Sequence, residues 1–446
     1  MKPTLQIITI GLFAILSVNL QAQETSPTLN VKSESENVIS RIANDENINA
    51  DSTFRLLTNF SSYPEIKSTG TDYLYYYTDS LYGKLPLRVF IPDTYRPNQP
   101  NTCVLLLHGA VGGSKLSDID TASKFDDLLF SLLKKRNYII IRPVGNPSNK
   151  FDWVVNRSKV GTNYTFKTLS EIISSLKKIL NIDDNKVFAF GHSDGSDGAV
   201  GMAVFKPNQF AGIIAYNSMM DNIFSKDFYI RNVINTPLYD VHSDLDDLRP
   251  IQQNRVIIDE LTKIDPDIIY KEYFGYQHYD KHLDKDIPYT RQFINSVSRN
   301  PFKSVIYWET DSAKNYNVCN WLRITGIDAK LPVAPWHKEF QIKSYNKIIK
   351  KFMPNDFYYS NLNASAAVKA SFYNNIFDIQ TSSVTGIEIL ISPVMVNLEQ
   401  PITVNINGKQ VFTGKIIADK PFIIDGFKAS FDRSAIWVNS VKLKVN

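Results

Sequence analysis

The feature that most constrains the fold is an alternation of short apolar runs with amphipathic stretches through the middle of the chain. The apolar runs are rich in Val, Ile and Phe, whereas the stretches between them repeat their apolar residues with a helical period. Strands that are apolar throughout belong in a parallel sheet that helices cover on both faces. The sequence therefore predicts an α/β domain with a mostly parallel sheet. We predict strands at 102–107, 138–143, 186–190, 212–216, 237–241 and 268–274, and helices at 125–135, 166–180, 197–205 and 251–264.

The character of the sequence differs on either side of this region. Residues 23–67 are polar, and we expect a lead-in segment there. After residue 301, alternating apolar and polar residues replace the helical pattern, and Asn407-Gly408 between two such runs predicts a two-residue hairpin turn. Because a single core stops growing at about 250–300 residues, a chain of this length should divide. We predict an α/β domain at 68–300 and a smaller β-rich C-terminal domain at 301–446.

The first residues predict export. Lys2 precedes an apolar run at 7–18, Ala22 offers a small residue for cleavage, and polar residues follow at once. This is the pattern of a secretory signal peptide at residues 1–22, and the alternative is a buried N-terminal helix or an uncleaved anchor. We expect the mature protein to be periplasmic or secreted, without stable insertion in a membrane.

The composition excludes several classes of protein. Lys and Arg number 49 against 45 Asp and Glu, and the net charge of +4 is too small to indicate a nucleic-acid surface. Two cysteines exclude a disulfide scaffold. In an exported protein they could pair with each other, but because Cys103 lies in a predicted central strand we expect two separate buried thiols. The sequence has no P-loop, no G-x-G-x-x-G and no H-E-x-x-H motif, so we expect no cofactor and no metal.

The strongest functional signal is the sequence GHSDG at residues 191–195, which fits the pattern G-x-S-x-G. It directly follows the apolar strand predicted at 186–190 and precedes a helix rich in Gly and Ala. A sharp turn from strand to helix needs small residues where the backbones approach, and it presents the serine side chain at the helix N-terminus. We therefore interpret Ser193 as a nucleophile. The alternative is an ordinary strand–turn–helix connection with a solvated serine.

A nucleophilic serine needs a base, and the base needs an acid that orients it. Of the six histidines, His278 and His282 follow the last predicted strand of the α/β region. We favour His278 because it is nearer the strand end and follows Gly275, which permits a tight turn. The acid is expected after the preceding strand, where Asp244, Asp246 and Asp247 compete.

These features resemble α/β-hydrolases of the carboxylesterase and prolyl-oligopeptidase-like kind. An H-G pair after the strand at 102–107, the G-x-S-x-G sequence, a strand-end carboxylate and a loop histidine occur in the order found there. The resemblance covers about residues 68–300. It implies an α/β-hydrolase sheet flanked by helices.

The resemblance also implies the roles of individual residues. Residues 242–250 resemble the strand-end motif H-G-x-x-D-x-x-V-P, in which Asp246 matches the acid. Ser243 stands in place of the usual Gly, and Arg249 in place of the usual Val. The implied site is a triad of Ser193, His278 and Asp246, with an oxyanion held by the backbone amide of Asp194 and that of Ala110 or Val111.

The implied function is a secreted serine hydrolase that cleaves carboxylic esters through an acyl-enzyme intermediate. The expected substrate is a small-molecule or glycan ester. Phe151 and Trp153 follow a strand and could stack on a sugar or aryl group, or they could anchor their loop to the core. Two other functions stay open. One is a prolyl-oligopeptidase-like serine peptidase, which the lack of a propeller repeat disfavours, and the other is a non-catalytic carbohydrate-binding protein with a relic hydrolase domain.

Overall fold

A computed structural model of the chain describes residues 26–110, 124–146, 150–153, 163–220, 229–265, 267–279, 282–338, 342–358 and 365–445. The predicted signal peptide and Val111 lie outside these residues. The described residues form an α/β domain and a β-rich C-terminal region, which confirms the predicted fold class. Among them, no helix is long and apolar enough to cross a membrane.

An eight-stranded sheet forms the centre of the α/β domain. Its strands are β1 (Thr71–Asp79), β2 (Gly83–Ile91), β3 (Asn101–Leu107), β4 (Ile139–Pro143), β5 (Ile182–His192), β6 (Gly212–Tyr216), β7 (Leu238–Ser243) and β8 (Ile269–Tyr273). They lie in the order β1-β2-β4-β3-β5-β6-β7-β8. β2 is antiparallel to its neighbours β1 and β4, and the strands from β3 to β8 run parallel. The carboxyl ends of these parallel strands therefore meet at one edge, where the loops predicted to carry the site also meet.

The described residues contain eight α-helices. They are α1 (Ser35–Asn44), α2 (Ala50–Thr58), α3 (Lys124–Lys134), α4 (Thr165–Lys177), α5 (Asp194–Phe205), α6 (Ile251–Thr262), α7 (Leu283–Ser296) and α8 (Lys420–Ser430). Helices α4, α5 and α6 share one core with the sheet, and α3 and α7 share the core on its opposite face. Neighbouring residues of β3 enter different cores, Leu105 the first and Leu106 the second. Burial on both faces explains why the strand sequences are continuously apolar.

The β-rich region has a core of its own. Its strands are β9 (Val305–Thr310), β10 (Val318–Cys319), β11 (Leu322–Ile327), β12 (Ile342–Asn346), β13 (Lys351–Tyr358), β14 (Ala366–Tyr373), β15 (Ile376–Ser382), β16 (Val384–Ile391), β17 (Ile402–Ile406), β18 (Lys409–Gly414) and β19 (Asn439–Lys444). A four-stranded sheet, β10-β11-β16-β19, and a five-stranded sheet, β18-β17-β15-β14-β9, share this core. The hairpin of β12 and β13 lies instead against α6, where the Gln253 side chain bonds the backbone of Lys343 and Tyr345.

The segment predicted as a lead-in belongs to the β-rich core. Helices α1 and α2 bury Ile39, Ile42 and Leu57 in the same core as the two C-terminal sheets. Phe60, after α2, packs its ring against Phe427 of α8 at a centroid distance of 6.1 Å. This segment therefore contains two helices that share a core with the two sheets near the other end of the chain.

Two local features of the C-terminal region show what the sequence pattern could and could not predict. Asn407 and Gly408 join β17 to β18 with φ of 50° and 79°, as the hairpin prediction requires. Helix α8 was not predicted, because only a narrow stripe of apolar residues marks it within an otherwise alternating region. Its start is defined by Asp419, whose side chain accepts a hydrogen bond from the Phe422 amide.

Buried ion pairs join the two regions. Arg299, after α7, makes two contacts of 2.6 and 2.8 Å with the carboxylate of Asp432, after α8. Arg433 contacts Asp184 of β5 at 2.6 Å. Removing Arg299 or Asp432 would leave its partner as an uncompensated buried charge, so this pair holds the β-rich region on the α/β domain.

The two cysteines are separate buried thiols, as predicted. Cys103 lies in β3 and Cys319 in β10, in different cores. Burial raises the pKa of both thiols to about 12, so neither is a reactive nucleophile at neutral pH.

Candidate active site

Ser193 occupies a sharp turn between β5 and α5. Its backbone has φ of 57° and ψ of −129°, a conformation that a residue with a side chain rarely adopts. The turn brings strand and helix so close that a Cβ at Gly191 would lie 2.2 Å from the carbonyl carbon of Gly195. A Cβ at Gly195 would lie 2.0 Å from the carbonyl oxygen of Leu107 in β3. The two glycines of the G-x-S-x-G sequence are therefore required by backbone contacts, and the strain is concentrated at the serine.

His278 contacts Ser193 from the loop that follows β8. The distance from His278 Nε2 to Ser193 Oγ is 2.9 Å. The loop turns at Gly275, where φ is 82°, and Asp244 accepts a hydrogen bond of 2.7 Å from the Gly275 amide. The side chain of Asn217 donates to the carbonyl of His278 at 3.0 Å. These contacts hold the imidazole over the serine.

Asp246 completes a hydrogen-bonded chain. Its Oδ2 lies 2.6 Å from His278 Nδ1, and its Oδ1 accepts hydrogen bonds from the amides of Leu248 and Arg249 at 3.0 and 2.8 Å. A carboxylate can only accept, so Nδ1 carries the proton and Nε2 is left to accept from the Ser193 hydroxyl. The order Ser–His–Asp and the direction of its hydrogen bonds are those needed to remove a proton from the serine.

The competing residues lie elsewhere. His282 is buried at the start of α7, with Nε2 3.3 Å from Ser243 Oγ and its ring 5.5 Å from that of Tyr273. Asp244 accepts a hydrogen bond from the Gly275 amide in the loop after β8, and Asp247 is exposed. Of the candidates, the structure thus brings His278 and Asp246 to Ser193.

The candidate oxyanion donors lie beside the serine. Asp194 begins α5 directly after Ser193, so its amide belongs to the unpaired N-terminal amides of that helix. The loop after β3 is also close, because a Cβ at Gly195 would lie 2.9 Å from the carbonyl oxygen of His108. Ala110, in that loop, is exposed. The second candidate in the loop, Val111, lies beyond the described residues.

Phe151 and Trp153 do not offer a surface to a substrate, which corrects one prediction. Phe151 is 0% exposed and Trp153 is 1% exposed. Trp153 donates its indole N–H to the carbonyl of His108 at 3.1 Å and packs on the His108 ring at 4.4 Å. Trp153 anchors its loop against the β3 loop, and the Phe151 ring packs on that of Tyr82 at 5.3 Å. Aromatic groups of this size find more apolar contact in the core than at its edge.

Arg249 is a site residue whose role the sequence did not reveal. Its guanidinium is buried and contacts Asp194 at 2.5 Å and Asp197 at 2.6 Å. Its backbone amide donates to Asp246. Burial alone would lower the pKa of Arg249, but the carboxylates of Asp197 and Asp194 outweigh burial and raise it. One residue therefore ties the acid loop to the first turn of α5. The only sequence signal was its departure from the strand-end motif.

Two further histidines surround the site in a neutral state. Burial lowers the pKa of His242 to about 4. Burial, together with the neighbouring His278, lowers the pKa of His192 well below its ordinary value. Because the His192 ring lies 4.7 Å from that of His278, a neutral His192 avoids like-charge repulsion when His278 takes up a proton.

Asp240, on β7, is a buried carboxyl that the hydrogen-bonded chain does not use. Burial raises its pKa from 3.8 to about 7, and it accepts hydrogen bonds from Ser218 at 3.0 Å and Asn254 at 2.6 Å. The folded protein therefore keeps this proton up to about pH 7, whereas the unfolded chain releases it near pH 3.8. Between these values the folded state binds more protons, so this group's contribution to stability is lost as the pH rises.

We expect Asp240→Asn to abolish this loss of stability with rising pH, because the asparagine amide has the shape of the protonated carboxyl and cannot ionise. Relative to the natural protein, the variant should gain up to about 4 kcal/mol in free energy of unfolding between pH 4 and pH 7, and nothing more above that range. Urea unfolding at several pH values measures the difference. Asp259→Asn, at an exposed position on α6, is the control. A difference between Asp240→Asn and the natural protein that stays constant with pH would contradict the assignment.

Comparison with known proteins locates the similarity in the α/β domain. The family model named Esterase matches residues 78–257, and these residues make up less than half of the chain. No curated protein matches the chain. A solved thermostable esterase is 18% identical to this chain, with a TM-score of 0.42. The match covers 51% of this chain and 63% of the esterase, so the chain spans just under two thirds of the esterase's length.

Two other solved structures cover a similar part of the chain. An S-formylglutathione hydrolase from Agrobacterium tumefaciens is 11% identical with a TM-score of 0.40, and the match covers 52% of this chain and 98% of that one. The fluorophosphonate-binding serine hydrolase F of Staphylococcus aureus is 16% identical with a TM-score of 0.39, and the match covers 51% of this chain and all 100% of that one.

Proposed function

We propose that this chain is a serine hydrolase of the esterase kind, which cleaves carboxylic esters with Ser193, His278 and Asp246 as a catalytic triad. The observation that carries the proposal is the continuous hydrogen-bonded chain from Ser193 through His278 to Asp246 at a strained strand–helix turn. The signal peptide predicted at residues 1–22 supports action outside the cytoplasm. The proposed substrate is a small-molecule or glycan ester.

In the first half of the reaction, Ser193 Oγ attacks the acyl carbon while its proton passes to His278 Nε2. Asp246, bonded to Nδ1, orients the imidazole and stabilises the imidazolium. The amide of Asp194, with that of Ala110 or Val111, would bind the oxyanion. When the tetrahedral intermediate collapses, the bond to the alcohol oxygen breaks and that oxygen takes the proton from Nε2. The alcohol leaves and the acyl group stays on the serine.

In the second half, water takes the place of the alcohol. His278 Nε2 accepts a proton from the water as its oxygen attacks the acyl carbon, and a second tetrahedral intermediate forms. Its collapse breaks the bond to Ser193 Oγ, which regains the proton from Nε2. The carboxylic acid is released and the free enzyme returns.

The experiment joins covalent labelling to a comparison of substrates. We expect a fluorophosphonate probe to label the purified protein once, and p-nitrophenyl acetate to be hydrolysed much faster than a peptide p-nitroanilide. Labelling should vanish in Ser193→Ala. Labelling should persist in Ser196→Ala. Ser196 is a neighbouring buried serine whose hydroxyl donates to the Ser193 carbonyl at 2.6 Å.

Each other outcome favours a different function. Faster turnover of the anilide than of the ester would favour a serine peptidase. No labelling of the natural protein, or labelling that survives Ser193→Ala, would refute both enzymes and leave a non-catalytic binding protein.

A further inference from the structure

The hairpin of β12 and β13 is attached to the α/β domain at its base. Ile342, the first residue of β12, is buried in the core of that domain, and Gln253 of α6 bonds the backbone of Lys343 and Tyr345. The two strands pair only with each other, and residues 347–350 join them. We call residues 346–352, which include this turn, the hairpin tip. The hairpin tip therefore lies at the end of a short sheet that is fixed at its other end.

The hairpin tip exposes three apolar side chains. Ile348 is 86% exposed, the highest value among the large apolar side chains that the structure describes, and Ile349 is 53% exposed. Phe352 is exposed as well. Single exposed apolar residues are ordinary on a protein surface, but adjacent ones that form a patch indicate contact with a partner. The turn itself does not require isoleucine, because Gly, Pro, Asn, Asp and Ser are the residues that form turns.

The conformation of the hairpin tip is fixed by contacts within it. The Asn346 side chain accepts hydrogen bonds from the amides of Ile348 at 3.0 Å and Ile349 at 3.3 Å. At the start of β13, the Phe352 ring packs edge-on against the ring of Tyr345 at 5.1 Å. A partner can therefore bind the isoleucines without first ordering the turn, which lowers the entropic cost of binding.

Three lysines flank the exposed isoleucines. Lys347 precedes them, Lys350 and Lys351 follow them, and all three are exposed. None of these lysines forms an ion pair with a residue in the described part of the chain. The hairpin tip therefore combines an apolar surface with three positive charges that the protein does not neutralise locally.

The surrounding acidic residues do not offset this charge. Asp356 is the only acidic residue within the two strands, and it adjoins Phe357, which pairs with Lys343 toward the base of the hairpin. Helix α6, on which the hairpin lies, and the residue that follows it contribute two charges of each sign, from Arg255, Asp259, Glu260 and Lys263. The positive charge is thus concentrated at the hairpin tip.

We propose that the hairpin tip binds the surface of a membrane that contains anionic lipids. Ile348 and Ile349 would enter the boundary between headgroups and acyl chains, where apolar side chains leave water. The lysines would remain at the level of the headgroups, because their long side chains can keep the ammonium group at the interface. An acidic polysaccharide would account for the lysines but not for the isoleucines. Such attachment is superficial and reversible, and the proposal does not depend on the reaction proposed for Ser193.

A fluorophore placed at the hairpin tip tests the proposal on the full chain. Because Cys103 and Cys319 are buried, a thiol-reactive nitrobenzoxadiazole should label only the new cysteine in Ile348→Cys. The label replaces the side chain that is proposed to leave water. We expect its emission to rise and shift to shorter wavelength with vesicles of phosphatidylglycerol and phosphatidylcholine in equal amounts. Vesicles of phosphatidylcholine alone should give a much smaller shift.

Tyr373→Cys, labelled in the same way, is the matched control. Tyr373 is also an exposed apolar side chain at a hairpin turn, between β14 and β15, but no lysine lies between it and Ile376. Its label should show no shift with either kind of vesicle. The same shift at both positions would refute the proposal, because contact with the membrane would then not be specific to the hairpin tip.

A second variant tests the part of the lysines. Adding Lys347→Gln and Lys351→Gln to the labelled Ile348→Cys protein should raise the concentration of anionic vesicles at half-maximal response by about tenfold or more, since each lysine near an anionic surface contributes about fivefold. Hydrolysis of p-nitrophenyl acetate should stay unchanged. An unchanged titration, an equal response to both kinds of vesicle, or no response to anionic vesicles would refute the proposal. A response to heparin but not to vesicles would do so too, and would assign the hairpin tip to an acidic polysaccharide.

Discussion

Replacing His278 with alanine is expected to lower kcat for ester hydrolysis by about 10⁴- to 10⁶-fold. The structure gives the reason, because His278 is bonded to both Ser193 Oγ and Asp246 Oδ2. Without the imidazole, the serine has no acceptor for its proton and the leaving alcohol no donor. Ser193→Ala should cost a similar factor, and the double variant little more, because the groups act as a unit. Initial rates with p-nitrophenyl acetate measure the effect.

His282→Ala is the matched control for this prediction. It removes the same side chain four residues away, where the ring contacts Ser243 and Tyr273 rather than Ser193. The variant should lose stability, because a buried side chain leaves a cavity, but keep kcat within about tenfold. A greater loss of kcat in His282→Ala than in His278→Ala would exchange the roles of the two histidines. Near-normal kcat in both variants would exclude both histidines as the catalytic base.

The sequence predicts the α/β domain well because local pattern and tertiary environment agree there. The strands are buried on both faces, so their apolar runs are continuous, and the G-x-S-x-G sequence needs its glycines for backbone contacts that arise within one turn. The proximity of His278 to Ser193 follows from the parallel topology, which brings loops at strand carboxyl ends to one edge of the sheet. The prediction of His278 used the order of the motifs along the chain and its place after the last predicted strand, whereas the order of the strands within the sheet was not predicted.

The features that the sequence did not predict depend on contacts between distant segments. Helices α1 and α2 pack against helix α8 and share the core of the two C-terminal sheets, and no local pattern records that pairing. The burial of Trp153 depends on the His108 loop, whose carbonyl accepts the indole N–H, and Phe151 packs against Trp153 and Tyr82. Arg249 could be recognised only as an unusual residue in a motif, because its partners Asp194 and Asp197 lie more than 50 residues earlier.

Replacing Arg249 with leucine is expected to lower the free energy of unfolding by about 3–5 kcal/mol and kcat by about tenfold or more. The loss of stability arises because Asp197 is 2% exposed and would keep an uncompensated buried carboxylate. The loss of kcat arises because Asp194, whose amide is a candidate oxyanion donor, would lose the contact that holds its side chain. Arg249→Lys should also be impaired, because a single ammonium cannot reproduce the two-pronged contact with both carboxylates.

A second substitution separates these two effects of Arg249. In Arg249→Leu combined with Asp197→Asn, the buried charge is gone, so stability should largely return while the loss of kcat persists. Arg255→Leu is the control, since Arg255 pairs with Glu272 at 2.5 Å but is 41% exposed, and such a pair contributes at most about 1 kcal/mol. Unfolding midpoints and kcat for p-nitrophenyl acetate are the two measurements. If kcat is normal in the stabilised double variant, Arg249 stabilises the fold and does not position the oxyanion donor.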